Sequence, residues 1–154
     1  MKNFITLTDS YKTSHYKQYP KNTEFVRSYF ESRVGAKFDN TLFFGLQSVL
    51  KKYFVGQVIT QEKIDSAEKR INTHMGGKHF NRDGWEYILH KHHGRLPLVI
   101  KAVPEGSLIP TNNVLFDVQN IDKNVPWLTN YAETILTHVW YPCAVATQSY
   151  EMKK

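Results

Sequence analysis

Apolar residues along the 154-residue chain alternate between two periodicities. A helical spacing of three and four residues runs through most of it, and a spacing of two appears in short stretches. Asp9 can cap a short helix through Tyr11, His15 and Tyr19 that stops near Pro20. From Phe25 to Ser32, Val26, Ser28 and Phe30 alternate with Phe25, Arg27, Tyr29 and Glu31, which predicts a strand. Residues 42–54 carry Leu42, Leu46, Val49, Leu50 and Tyr53 on one helical face, and Gly56 follows as a stop. Thr60 caps a second helix with the stripe Ile64, Ala67, Ile71 and Met75, closed by Gly76-Gly77. Asn81 or Asp83 opens a third, with Trp85, Ile88 and Leu89 facing inward and Gly94 at its end. Residues 97–103 and 113–119 predict strands, separated by a loop at Pro104, Gly106 and Pro110. Asn124 to Tyr141 predicts one long helix with an apolar face of Leu128, Tyr131, Ala132, Ile135, Leu136 and Val139, ended or kinked by Pro142. From Thr147 to Lys154 a further helix begins with no room to propagate, which reads as a chain that ends before its fold does. These elements predict an α+β or mixed α/β unit in which helices dominate.

Composition adds a few constraints. Nine Tyr and nine Phe supply enough apolar surface for an ordered core, and a chain of this size buries roughly two thirds of its unfolded surface. The net charge of +6 favours anionic partners. The basic residues are scattered, however, with tight runs only at Lys51-Lys52 and Lys153-Lys154, and no nucleic-acid motif accompanies them. The single cysteine, Cys143, excludes an internal disulfide and sits in an apolar stretch as a small buried hydrophobe. No run reaches the roughly 18 apolar residues of a membrane helix, and Met1 to Thr6 shows no leader pattern, so the expected compartment is the cytosol. His74, His79, His90, His92 and His93 lack Cys or carboxylate partners at ligand spacing and predict a surface cluster rather than a metal site.

A series of segments carries more specific information. They are Thr8-Asp9-Ser10-Tyr11-Lys12, His15-Tyr16-Lys17-Gln18-Tyr19-Pro20, Ser28-Tyr29-Phe30-Glu31-Ser32-Arg33 and Phe44-Gly45-Leu46-Gln47, then Gly84 to Leu89 and Leu96 to Gly106. Ile109-Pro110, Asn113 to Phe116, Trp127 to Asn130, Glu133 to Leu136, Trp140-Tyr141-Pro142 and Val145-Ala146-Thr147 complete it. In this order and spacing the chain resembles the N-terminal part of the nicotinamide phosphoribosyltransferases, a type II phosphoribosyltransferase family. Gln148 and Tyr150 depart from the pattern, standing where asparagine and arginine are usual.

The resemblance implies an α+β fold of mixed helices and a small sheet spanning residues 1–154, without the family's C-terminal α/β barrel. It implies a part in joining nicotinamide to the ribose of phosphoribosyl pyrophosphate, giving nicotinamide mononucleotide and pyrophosphate in NAD salvage. It also implies inactivity of this chain alone. In the family, Mg²⁺ assists the departing pyrophosphate; none is expected on this chain alone. The expected partners are nicotinamide and phosphoribosyl pyrophosphate at a subunit interface, in a homodimer or with a second chain carrying the barrel, and no membrane. No catalytic residue is expected here, because the groups that would stabilise charge on ribose and pyrophosphate belong to the barrel.

Three residues carry the substrate-binding expectation. Tyr11 matches the tyrosine that stacks on the pyridine ring, a task suited to a flat aromatic face; without the motif it reads as a half-buried helix tyrosine. Asp9 would cap the Tyr11 turn, and so position the ring, or accept a bond from the carboxamide. Arg33 matches an arginine that offers planar, bidentate donors to substrate phosphate; the plainer reading is a solvated arginine at a strand end. Two other functions fit less specific features: a regulatory or complementing module that docks on a full-length homologue, and a basic nucleic-acid-binding protein.

Overall fold

The computed structural model describes residues 3–77 and 79–154; Met1-Lys2, part of the stretch read for a leader, lies outside them. The architecture is α+β. Strand β1 (Arg27–Glu31) pairs antiparallel with the long strand β5 (Val114–Asn120), and β3 (Leu98–Ala102) pairs with the other edge of β5. Two three-residue strands, β2 (Asn40–Leu42) and β4 (Leu108–Pro110), form a separate small ladder. The sequence pattern did not predict that ladder: Leu108–Pro110 falls inside the expected loop and Asn40–Leu42 at the lead-in of the expected helix.

Helix α1 runs over Leu46–Tyr53, α2 over Gln61–Met75 and α3 over Arg82–Lys91. The caps behave as their residue types dictate. Thr60 accepts from the Lys63 N–H and Asn81 from the Gly84 N–H, while Gly76 closes α2 in the left-handed conformation. The α2 stripe of Ile64, Ala67 and Ile71 is buried, as are Trp85 and Ile88 of α3. Trp85 is the hub of the core. Its ring meets Trp127 at 4.8 Å, Tyr131 at 5.0 Å and Phe4 at 6.2 Å, all edge to face, an arrangement that suits the ring quadrupoles.

The expected helix from Asn124 to Tyr141 is interrupted. It resolves into α4 (Trp127–Tyr131), α5 (Glu133–Leu136) and a 3₁₀ turn at Thr137–Val139 that leads into α6 (Trp140–Met152). The break has a physical cause. The Thr8 hydroxyl donates to the Tyr131 carbonyl, and the Ile135 and Leu136 N–H groups both turn to the Ala132 carbonyl. A distant segment has thus taken an acceptor that the helix would have used. Pro142 neither ends nor kinks a helix. It lies in the first turn of α6, where its missing N–H has no intrahelical partner to lose. The segment from Thr147 onward continues α6 instead of starting a new helix.

Helix α6 grips the small ladder and the residues that lead into α1. Thr147 accepts from the Leu42 N–H, and the Cys143 thiol bonds the Phe44 backbone. Cys143 is a buried free thiol, and burial pushes its pKa up. The Pro142 ring packs where a Gly45 side chain would be: a Cβ there would stand 2.5 Å from Pro142 Cγ, and Gly45 already needs φ +99°.

Gly94 is equally constrained. Its carbonyl accepts from both Val58 and Ile59 N–H at 2.9 Å, its φ is +71°, and an added Cβ would meet the Ile59 carbonyl oxygen at 2.1 Å. Gly94→Ala is therefore expected to destabilise the fold by about 3 kcal/mol, combining left-handed backbone cost with overpacking against main chain. A fall in the urea midpoint at unchanged slope checks this; an unchanged midpoint contradicts it.

The turn after β5 is held by a polar cluster. Asp122 accepts from Tyr87 Oη at 2.9 Å and from the Asn124 N–H at 2.9 Å, and lies 2.7 Å from His92 Nε2. Burial raises the Asp122 pKa, but the bonds from Asn124, His92 and Tyr87 outweigh it and bring the value to about 2. A depressed folded pKa stabilises the native state above the unfolded carboxyl's value, and that contribution disappears as pH falls through the folded one. The Asp122 contribution should be full above about pH 4 and fade towards pH 2. Acid titration of stability in Asp122→Asn checks this: the variant should lack that portion of the acid-induced loss.

Candidate functional site

The N-terminal segment reaches the site as a chain of short 3₁₀ turns, Phe4–Thr6, Ser10–Thr13 and His15–Lys17, in place of the single helix that the pattern predicts from Asp9 to Tyr19. Asp9 stands at the position before the second turn, but its side chain makes no capping bond. That expectation is corrected. The carboxylate turns instead to α5, where Asp9 Oδ2 accepts from Thr134 Oγ1 at 2.7 Å, from Tyr11 Oη at 3.2 Å and lies 3.3 Å from Lys12 Nζ. The Thr134 bond contributes most to holding the Asp9 pKa below its ordinary value, against the opposing effect of burial.

Tyr11 is not the half-buried helix tyrosine of the plainer reading. It is 56% exposed, with its ring lying 5.2 Å from the His15 ring. Its two neighbours are fixed on opposite sides. Ser10 Oγ meets His74 Nε2 of α2 at 2.9 Å, and Lys12 Nζ donates to Glu133 Oε2 of α5 at 2.9 Å and to Thr134 Oγ1 at 3.1 Å. The ring therefore stands out from a segment anchored through the residues before and after it.

Arg33 follows the irregularity in β1 at Phe30/Glu31 and is exposed. Among the described residues its guanidinium has no hydrogen-bond or ion-pair partner. It lines an open groove of about 470 Å³. Ser28, Phe30, Phe116 and Val118 of the sheet form one side, and Glu133, Leu136 and Thr137 the other. Phe30 and Phe116 stack at 5.0 Å and form part of its floor. Glu133 belongs to both places: it lines the groove with Arg33 and pairs with Lys12. The start of α5 thus adjoins the Asp9–Tyr11 segment and also borders the groove that Arg33 lines.

A buried polar knot sets the position of the segment entering β1 relative to α4. The Asn120 side chain accepts from the Val26 N–H and donates to the Glu24 carbonyl, while Thr129 of α4 donates to the Val26 carbonyl and accepts from the Asn120 N–H. Sequence reasoning did not find Lys12, Glu133, Thr134 or Asn120. Lys12, Glu133 and Thr134 carried one signal, since all three lie inside the quoted segments, but nothing local shows that Lys12 touches the other two.

Among the described residues, no three His, Cys, Asp or Glu side chains converge to hold a metal ion. His92 is committed to Asp122 and His74 to Ser10. No helix among the described residues is long and apolar enough to cross a membrane.

The chain is similar to a known group of transferases. Residues 3–100 match the family described as nicotinamide phosphoribosyltransferase, N-terminal domain. A protein of Xanthomonas campestris pv. campestris (strain 8004) named nicotinamide phosphoribosyltransferase is 44% identical across 99% of this chain and 32% of its own length. One of the same name from Acinetobacter baylyi (strain ATCC 33305 / BD413 / ADP1) is 32% identical across 99% of this chain and 33% of its own. The chain belongs to the nicotinamide phosphoribosyltransferase family, over its N-terminal domain. It spans about a third of the length of the curated relatives it matches.

Proposed function

We propose that this chain is the N-terminal portion of a nicotinamide phosphoribosyltransferase and supplies substrate-binding groups to a site completed by a second polypeptide. In this reading the assembled site joins nicotinamide to phosphoribosyl pyrophosphate. Tyr11 stacks on the pyridine ring, Asp9 holds Tyr11 through its hydroxyl, and Arg33 offers its free guanidinium to a phosphate. The observation that carries the reading is the exposure of Tyr11 on a segment fixed at Ser10 and Lys12. A flat aromatic face open to solvent on a fixed segment is available to stack on a flat heteroaromatic ring.

Stabilising positive charge on the ribose and negative charge on pyrophosphate calls for converging donors and anions. Arg33 is a suitable hydrogen-bond donor to phosphate on this chain, and the remaining groups are assigned to the second polypeptide, whether a barrel-bearing chain or the other half of a dimer. Mg²⁺ would assist the leaving pyrophosphate from there. The experiment mixes this chain with a polypeptide spanning the remaining two thirds of the Xanthomonas relative and assays nicotinamide mononucleotide. Product is expected from the mixture and from neither component alone. Silence from this mixture and from the corresponding Acinetobacter one would contradict the reading.

One observation favours a second reading, a regulatory or complementing module. The outer face of α6 leaves Trp140, Tyr141 and Val145 exposed, and contiguous apolar surface of that kind suits docking on another polypeptide. Co-migration with a full-length homologue in size exclusion, with loss of the homologue's activity, would favour it.

A further inference from the structure

We propose that Lys12 is a positioning residue: its buried ammonium fixes where Tyr11 and Asp9 stand without touching substrate. The inference rests on the reading of Tyr11 given above. Lysine seldom buries its charge, because an ammonium taken from water is unfavourable unless each of its protons finds an acceptor. Lys12 is 5% exposed and meets that condition. Its three protons face three oxygens, Glu133 Oε2 at 2.9 Å, Thr134 Oγ1 at 3.1 Å and Asp9 Oδ2 at 3.3 Å. Ordinary surface ion pairs hold little in place. Here the aliphatic stem is interior, and the head group lies between the Tyr11 segment and α5.

The coupling to the ring is short. Asp9 Oδ2 accepts from Lys12, Thr134 and the Tyr11 hydroxyl at once, so displacing Asp9 displaces the tyrosine. The Ser10–Thr13 turn is one short 3₁₀ turn, and its placement depends on side-chain bonds to α2 and α5. Without the ammonium, the Asp9 and Glu133 carboxylates would face each other unscreened beside Thr134. Repulsion would drive the segment off α5 and release the ring from its fixed position. The double variant Lys12→Met/Glu133→Gln removes the ammonium while keeping the cluster's net charge, and so separates positioning from simple neutralisation.

Two measurements test this: backbone hydrogen exchange over residues 9–14 in this chain, and steady-state kinetics of the two-polypeptide assembly described above. The double variant should unfold within about 3 °C of the wild type, yet exchange about tenfold faster over residues 10–14 only. In the assembly, KM for nicotinamide should rise about tenfold, with kcat and the KM for phosphoribosyl pyrophosphate little changed. Lys12→Arg should fall between, because a planar guanidinium cannot aim donors at the same three oxygens. Wild-type exchange and KM in the double variant would overturn the proposal, leaving Lys12 as a charge balancer. So would faster exchange across the whole chain with a large drop in melting temperature, which would mark a purely structural role. Local loosening in the variant, beside a wild-type assembly that does not use nicotinamide, would uphold the positioning and sink the functional reading instead.

Discussion

Replacing Tyr11 by alanine is expected to lower kcat/KM for nicotinamide by about 30-fold in the assembled enzyme, with the fold unchanged. Ring stacking contributes roughly 0.5–1.5 kcal/mol beyond area burial, and covering the ring face adds about 1 kcal/mol more. The sum corresponds to a factor between about 10 and 100. Tyr11 is exposed and outside the core, so the melting temperature should stay within about 2 °C. Tyr11→Phe separates the two roles of the side chain. It retains the flat face and loses only the bond to Asp9 at 3.2 Å, so a loss of about fivefold or less is expected. Steady-state kinetics of both variants check the pair of values. Equal losses in Phe and Ala would show that the hydroxyl, rather than the ring, carries the effect.

The second large effect lies in the core. Trp85→Ala should destabilise the domain by about 3–5 kcal/mol, since it removes a fully buried indole and leaves a cavity. The loss reaches the site through a defined path. Trp85 packs against Tyr131, whose hydroxyl bonds the Ile5 carbonyl and whose own carbonyl holds Thr8. These contacts seat the N-terminal segment that presents Tyr11. Calorimetry should show a fall of about 10–15 °C in the melting temperature, at roughly 2–4 °C per kcal/mol for a domain of this size. A shift under about 3 °C would mean that the aromatic cluster is not the hub that its geometry indicates.

Much of the fold could be read from local pattern, because local physics sets it. The limits of α2 follow from Thr60 and Gly76, and those of α3 begin at Asn81, each through a backbone bond within a few residues. Strands β3 and β5 follow from their apolar runs. The failures share one property: their causes are distant in sequence. The helix expected from Asn124 to Tyr141 breaks because Thr8 takes a carbonyl 123 positions away. Strands β2 and β4 are three residues each and gain their order only by pairing with one another, so neither has a period to detect. Pro142 reads as a stop when only its own residue type is considered, yet it sits in the first turn of a helix.

The candidate site divides in the same way. Tyr11, Asp9 and Arg33 emerged from ordered motifs, because periodicity says nothing of what an exposed ring is for. The seating of Asp9 and Tyr11 against α5 depends on the pairs Lys12–Glu133 and Asp9–Thr134, which span 121 and 125 positions. The role expected of Asp9 shows the limit most clearly. Local reasoning assigns its carboxylate to the nearest orphan N–H groups, while the fold offers it a threonine hydroxyl from α5 beside the nearby Lys12 ammonium.

The most direct test is a structure of this chain assembled with its complementing polypeptide and soaked with nicotinamide. The account predicts the pyridine seated against the Tyr11 ring, offset or edge-on, with centroids about 4.5–7 Å apart. Nicotinamide bound elsewhere, with the Tyr11 ring still facing solvent, would contradict it.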